Sequence, residues 1–152
     1  ATTSGGRLFD AAAAILGICT EVTYEAQAAM ELEHAANTWA NRHVDTQASS
    51  FGSYRELFEM LAEEEREVGE RAWQFHLGLA QLLAGQAGET AEKAGIKTVG
   101  ITGGVALNRL FSSHFIRIMR EDGYQVMTHK TVPPNDGGLS LGQAWAAVLG
   151  AC

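Results

Sequence analysis

Across the first hundred positions apolar residues recur at three- and four-residue steps, the period of helices that bury one face. A first run covers 4–16, with Ser4 placed to cap it and Gly17 near its end. A second covers 23–41, with Thr23 as its expected cap and Ala26, Met30, Ala35 and Trp39 among its apolar positions. Residues 43–53, including His43, Asp45, Thr46, Ser49, Ser50, Gly52 and Ser53, are polar and turn-forming and read as a loop. From 54 to 94 the helical period returns through Leu57, Phe58, Leu61, Trp73, Leu77, Ala80 and Leu83, with a break expected near Gly69.

The pattern changes after Gly95. Thr98, Val99 and Ile101 form a short run bounded by glycine, which reads as a buried strand. Residues 108–120 are helical in period through Leu110, Phe111, Phe115, Ile118 and Met119, Gly123 ends them, and 124–128 reads as a second strand. The unit 97–128 is therefore β-α-β, an order that favours parallel strands joined by a right-handed crossover. A last helix over 139–149 is expected to turn Leu141, Ala144, Trp145 and Val148 inward. The fold class is α/β with a helix-rich first half, and no internal repeat or low-complexity stretch interrupts it.

A chain of 152 residues fits one domain or a large part of one. The net charge of −7, with no basic stretch against it, argues against non-specific nucleic-acid binding. Glu56, Glu59, Glu63, Glu64, Glu65, Glu67 and Glu70 cluster in one helical stretch and read as a solvated face. Cys19 and Cys152 have neither metal-site spacing nor a disulfide framework; Cys19 is expected to be a small buried hydrophobe and Cys152 an ordinary tail residue. No apolar run is long enough to span a bilayer and no signal peptide is evident, so no membrane partner is expected and the expected location is cytoplasmic. The chain opens on Ala1 and enters abruptly at Ser4-Gly5-Gly6-Arg7-Leu8-Phe9-Asp10, as the interior of a domain would; a piece of a longer protein is expected.

Two glycine-centred turns carry the chemical signal. Thr102-Gly103-Gly104-Val105-Ala106-Leu107-Asn108 follows the first strand, and Pro133-Pro134-Asn135-Asp136-Gly137-Gly138 leads into the last helix. Each joins a strand-like segment to a helix, where backbone N–H groups and a helix N-terminus can approach an anion without side chains intervening. Together they point to a nucleotide or phosphate site, although the Lys-Ser/Thr of a P-loop is missing. Asn108 can point back over the first turn or simply cap the helix. Asp136 can bind a hard cation or a magnesium-bound phosphate, or cap the last helix, and spacing does not separate these. Asp10 can hydrogen-bond a ribose diol or stabilise its helix N-terminus, and Arg7 can contact an anion or sit as a surface charge. His34, His43, His76, His114 and His129 form no i,i+4 ligand pair and read as structural or exposed.

These segments resemble the C-terminal end of the HypF carbamoyltransferases. The resemblance rests on Thr102-Gly103-Gly104-Val105-Ala106-Leu107-Asn108-Arg109 and on Val132-Pro133-Pro134-Asn135-Asp136-Gly137-Gly138-Leu139-Ser140-Leu141-Gly142-Gln143-Ala144. Upstream, Gly6-Arg7-Leu8-Phe9-Asp10-Ala11 and Tyr24-Glu25-Ala26-Gln27-Ala28-Ala29-Met30-Glu31-Leu32-Glu33 resemble the same family, in the same order and across essentially the whole chain. The resemblance implies that 1–152 is the C-terminal lobe of an actin-like ATPase domain with a helix-rich insertion, a fold shared with the tRNA threonylcarbamoyl transferases. It implies a carbamoyltransferase of hydrogenase maturation that adenylates a carbamoyl group from carbamoyl phosphate with ATP. The group then passes to the C-terminal cysteine of a HypE-like acceptor protein.

By that resemblance Gly103, Gly104 and Asn108 would hold the nucleotide, Asp10 with Gly6 beside it would bind the ribose, and Asp136 would be a ligand of a divalent metal. The family's other metal ligands, two histidines four apart, fall in a half of the domain that this sequence does not contain, so this chain alone is expected to be inactive. Two alternatives stay open: a carbamoyltransferase acting on a small-molecule hydroxyl, and a non-catalytic lobe that binds nucleotide or docks with partner chains. The acidic charge makes a tRNA substrate the poorer fit.

Overall fold

A computed structural model describes residues 4–43 and 46–150 of the chain; Asp45 and Cys152 lie outside them. The elements run α1 (Gly5–Ile15), α2 (Gln27–Ala40), α3 (Tyr54–Met60), α4 (Val68–Ala94), β1 (Thr98–Gly100), α5 (Arg109–Glu121), β2 (Gln125–Met127) and α6 (Leu139–Val148). Short 3-10 turns at Gly104–Leu107 and Asp136–Gly138 precede α5 and α6. The strands pair in parallel, Thr98 with Gln125, Val99 with Val126 and Gly100 with Met127, so the β-α-β reading of 97–128 holds.

The core lies among the helices. α4 packs along both α2 and α5, and α1 closes against α2. Phe9 of α1 is the hub: its ring meets Phe75 edge-on at 5.4 Å and Phe111 edge-on at 6.1 Å between centroids, joining α1, α4 and α5. Leu32, Leu57, Leu61, Leu79 and Met119 are fully buried around it. Cys19 is buried, as expected, and that burial, with Glu31 and Asp10 nearby, pushes its thiol above the ordinary range. The glutamate-rich stretch stays at the surface, where Arg66 bonds Glu63 and Glu70.

Three local expectations need correction. The second helix starts at Gln27 rather than Thr23, because Thr23 donates its N–H and hydroxyl to the Gln27 side chain and the chain then passes through Ala26 in the left-handed region at φ 62°. The first strand is not buried as expected: Thr98 and Gly100 are exposed and only Val99 is half-buried, since a sheet of two strands meets the helical core along one face alone. The break expected near Gly69 is present at 61–67, and Gly69 itself lies in the first turn of α4 and lets that turn close on Trp39. The last helix forms where expected, but Leu141, Ala144, Trp145 and Val148 do not turn inward. All four are exposed, since α6 packs mainly on the 3-10 turn that precedes it.

Candidate functional site

The two glycine turns are bonded to each other. Gly103 N–H donates to the carbonyl of Pro134 at 2.8 Å, and the Thr102 hydroxyl reaches the same oxygen at 3.3 Å. His129 Nε2 lies 3.0 Å from the Thr102 hydroxyl, and because that hydroxyl already donates to Pro134, the imidazole is the donor. Glycine is required at 103, where φ is 94° and ψ 170°, a region closed to residues with a Cβ. Gly138 is required for a different reason: a Cβ there would lie 2.8 Å from the Pro133 carbonyl oxygen.

The first turn also faces α1 and α2. A pocket of about 400 Å³ is lined by Gly6 and Asp10 of α1, by Glu25, Ala26, Ala29, Met30 and Glu33 at the start of α2, and by Gly104, Val105, Leu107 and Asn108 of the turn. A second, more open cleft of about 940 Å³ adjoins it, bounded by Gly5, Gly6, Gly103, Gly104, Tyr54, Phe111 and Phe115 among others. Gly6, Asp10, Gly104 and Asn108, far apart in sequence, thus meet at one pocket, with Gly103 on the wall of the neighbouring cleft. Asp136 is exposed and lines neither; it is coupled to the first turn through Pro134, two residues away.

At this site two capping questions have structural answers. Asn108 does cap α5, its Oδ1 accepting from Phe111 N–H at 2.9 Å, while its residue lines the pocket. Asp136 does not cap the last helix, whose N-cap position is Gly138, nor the turn before it, where Asn135 Oδ1 accepts from Gly137 N–H. Arg7 is exposed and lines neither cavity.

The N-terminus of α5 is already answered by the protein's own groups. Leu110 N–H donates to the Glu33 carboxylate at 3.0 Å across 77 residues, Phe111 N–H to the Asn108 side chain, and Ser112 N–H to the Asn108 carbonyl. A carboxylate at a helix N-terminus is favourably placed against the helix dipole. An incoming anion would therefore compete with Glu33 at α5.

Behind Asn108 lies His76 of α4, wholly buried. Its Nδ1 is 2.7 Å from the Ala72 carbonyl and its Nε2 3.0 Å from Asn108 Nδ2. Burial drives its pKa down to about 4 from 6.5, with His114 adding to the shift, so the ring is neutral near pH 7. Sequence reading singled out neither Glu33 nor His76 for the site, since their partners lie 77 and 32 residues away and no short-range spacing records them. Among the described residues no group of three His, Cys, Asp or Glu side chains converges on a point where a metal could sit.

The arrangement defines a class. The model of a carbamoyltransferase Kae1-like domain, second subdomain, matches residues 1–143. A carbamoyltransferase HypF from Rhizobium leguminosarum is 40% identical over 93% of this chain and 19% of its own length. The crystal structure of T. kodakarensis HypF superposes over 95% of this chain with a TM-score of 0.80 and 31% identity, covering 19% of that chain. A full-length HypF solved in a phosphate- and nucleotide-bound form matches over 95% of this chain and 20% of its own, with a TM-score of 0.78 and 30% identity. The chain belongs to the HypF carbamoyltransferase family, as a Kae1-like second subdomain of α/β class. It spans about a fifth of the length of most of the relatives it matches and 40% of one of them. Among the described residues no helix is long and apolar enough to cross a membrane.

Proposed function

We propose that this chain forms one wall of the nucleotide site of a carbamoyltransferase that works through a carbamoyl-adenylate made from ATP and carbamoyl phosphate. The observation that carries the reading is the meeting of Gly6, Asp10, Gly104 and Asn108 at one pocket in a chain of this family. Ionised carboxylates are acceptors only. Asp10, Glu25 and Glu33 on the pocket wall therefore suit the hydroxyl and amino donors of a nucleoside and oppose a phosphate. Ala26, Ala29 and Met30 give the base an apolar surface on the same wall. In this reading the nucleoside sits in the pocket, Asp10 holds the ribose, and the phosphates run out past Gly104 toward the second turn.

Gly103 supplies shape rather than a donor, because its N–H is committed to Pro134. The exposed carboxylate of Asp136 suits a hard divalent cation as a single ligand, with the remaining ligands coming from outside this chain. A metal bound there would neutralise phosphate charge, and the chain's own residues would position the adenylate for attack by the C-terminal cysteine thiol of a HypE-like acceptor. The exposed row Leu141, Trp145 and Val148 on α6 supports a chain that completes its fold and site against further polypeptide.

Isothermal titration with ATP and AMP, with and without magnesium, tests this reading. Asp10→Ala is expected to weaken AMP binding about tenfold through loss of a hydrogen bond to a charged acceptor, and Asp136→Ala to abolish only the magnesium dependence of ATP binding. Absence of nucleotide binding by the unaltered chain, or unchanged AMP affinity in Asp10→Ala, would overturn it.

A further inference from the structure

Asn108 reaches the pocket on one side and is held from the other by a residue that does not line the pocket. The chain of bonds behind it has only one consistent direction. A carbonyl accepts only, so the 2.7 Å contact to Ala72 places the His76 proton on Nδ1. The neutral ring then presents Nε2 as an acceptor, and the atom 3.0 Å from it must donate, which makes that atom Nδ2 of Asn108. Asn108 Oδ1 is in turn left to accept from Phe111 N–H. Rotating the amide by half a turn would set Oδ1 against the ring's lone pair and Nδ2 against a backbone N–H, so both contacts would fail together. His76 is also gripped sterically, with the Phe9 ring 5.3 Å from its own between centroids and Phe75 at 6.1 Å. Phe9 lines the same pocket as Asn108, so the imidazole backs two neighbouring parts of its wall.

We infer that His76 is a positioning residue for the nucleotide site: its Nδ1–H tautomer fixes the orientation of the Asn108 amide, and through it the Gly103–Asn108 turn that faces the ligand. The inference rests on the nucleotide reading of the pocket, but its structural half holds in the free protein. The neutral ring imposed by burial fits this role, since a second ring proton would face the Asn108 donor. An apolar ring of similar size at 76 would keep the packing and remove the acceptor, leaving a buried amide donor without a partner. A glutamine at 76 would restore an acceptor close to where Nε2 now lies.

The test uses the full chain, labelled with ¹⁵N, with AMP as the probe. In the free protein, long-range ¹H–¹⁵N spectra are expected to show His76 as the Nδ1–H tautomer, with a downfield, slowly exchanging Asn108 side-chain amide. His76→Phe is expected to move the Asn108 side-chain and Gly104 backbone resonances and to weaken AMP about tenfold, while the far-ultraviolet spectrum stays unchanged. His76→Gln is expected to recover most of the affinity and the Asn108 resonance. An Nε2–H tautomer in the free protein overturns the inference, as does His76→Phe with unmoved Asn108 and Gly104 resonances. So does an equal loss of affinity in His76→Gln and His76→Phe, which marks a packing role alone. If the unaltered chain fails to bind AMP, the nucleotide reading and the positioning role both fall, while the tautomer and the resonance shifts still decide whether His76 orients Asn108. If AMP binds and His76→Phe leaves its affinity unchanged, the positioning role alone falls.

Discussion

In the helical body Phe9, Phe75, Leu79 and Phe111 are almost wholly withdrawn from solvent, whereas on α6 Leu141, Trp145 and Val148 are 54%, 63% and 78% exposed. The residue types are much the same, so composition does not separate the two regions. Partners do. α4 is flanked by α2 and α5 and is crossed by the ring of Phe9, and nearly every side chain from Gln74 to Ala80 is buried as a result. α6 follows a turn pinned to Thr102 and Gly103 through Pro134, which fixes where it starts but offers its apolar residues nothing to pack on. The body buries its apolar faces within this chain; α6 presents an apolar row of the kind that marks an interface.

That contrast can be broken by substitutions on either side of it. The largest effect is expected for Phe75→Ala, which removes a fully buried ring at the centre of the body and should destabilise the chain by about 3–5 kcal/mol in urea titration. A loss below about 1 kcal/mol would mean that the body is packed more loosely than described. Acid should act on the body next. The His76 pKa is lowered, so between pH 6.5 and about 4 the unfolded chain takes up a proton that the folded chain refuses. Stability is therefore full above pH 6.5 and falls as the pH drops toward 4, by about 3 kcal/mol for this group. His114, lowered by its own burial and by Arg117, acts in the same direction. Urea midpoints at pH 7 and pH 4.5 check this, and His76→Gln should flatten the difference. The smallest effect is expected for Trp145→Ala on α6, within about 0.5 kcal/mol of the unaltered chain. A loss as large as that of Phe75→Ala would show that α6 is packed within this chain and would erase the contrast.

The parts legible in the sequence were those governed by local chemistry. The glycine punctuation at 95 and 123 and the apolar period between them disclosed the β-α-β unit, and Asn108 was recognisable as a cap because its bond to Phe111 spans three residues. Helix boundaries failed where a side chain competed with the backbone, as Gln27 does for Thr23. The inward face assigned to α6 failed because periodicity reports that a face is apolar and says nothing about whether this chain supplies its cover. The bond from Glu33 to Leu110 and the contact of His76 with Asn108 were illegible for another reason: both join residues that only the packing of α2, α4 and α5 brings together.

The most direct measurement is a titration of ¹⁵N-labelled chain with AMP at millimolar concentration, followed by backbone amide shifts. The pocket assignment requires the largest shifts at Gly6, Asp10, Gly104 and Asn108, with α6 from Leu141 to Val148 unmoved. Saturating AMP that leaves those four amides in place, or that shifts α6 instead, would contradict it.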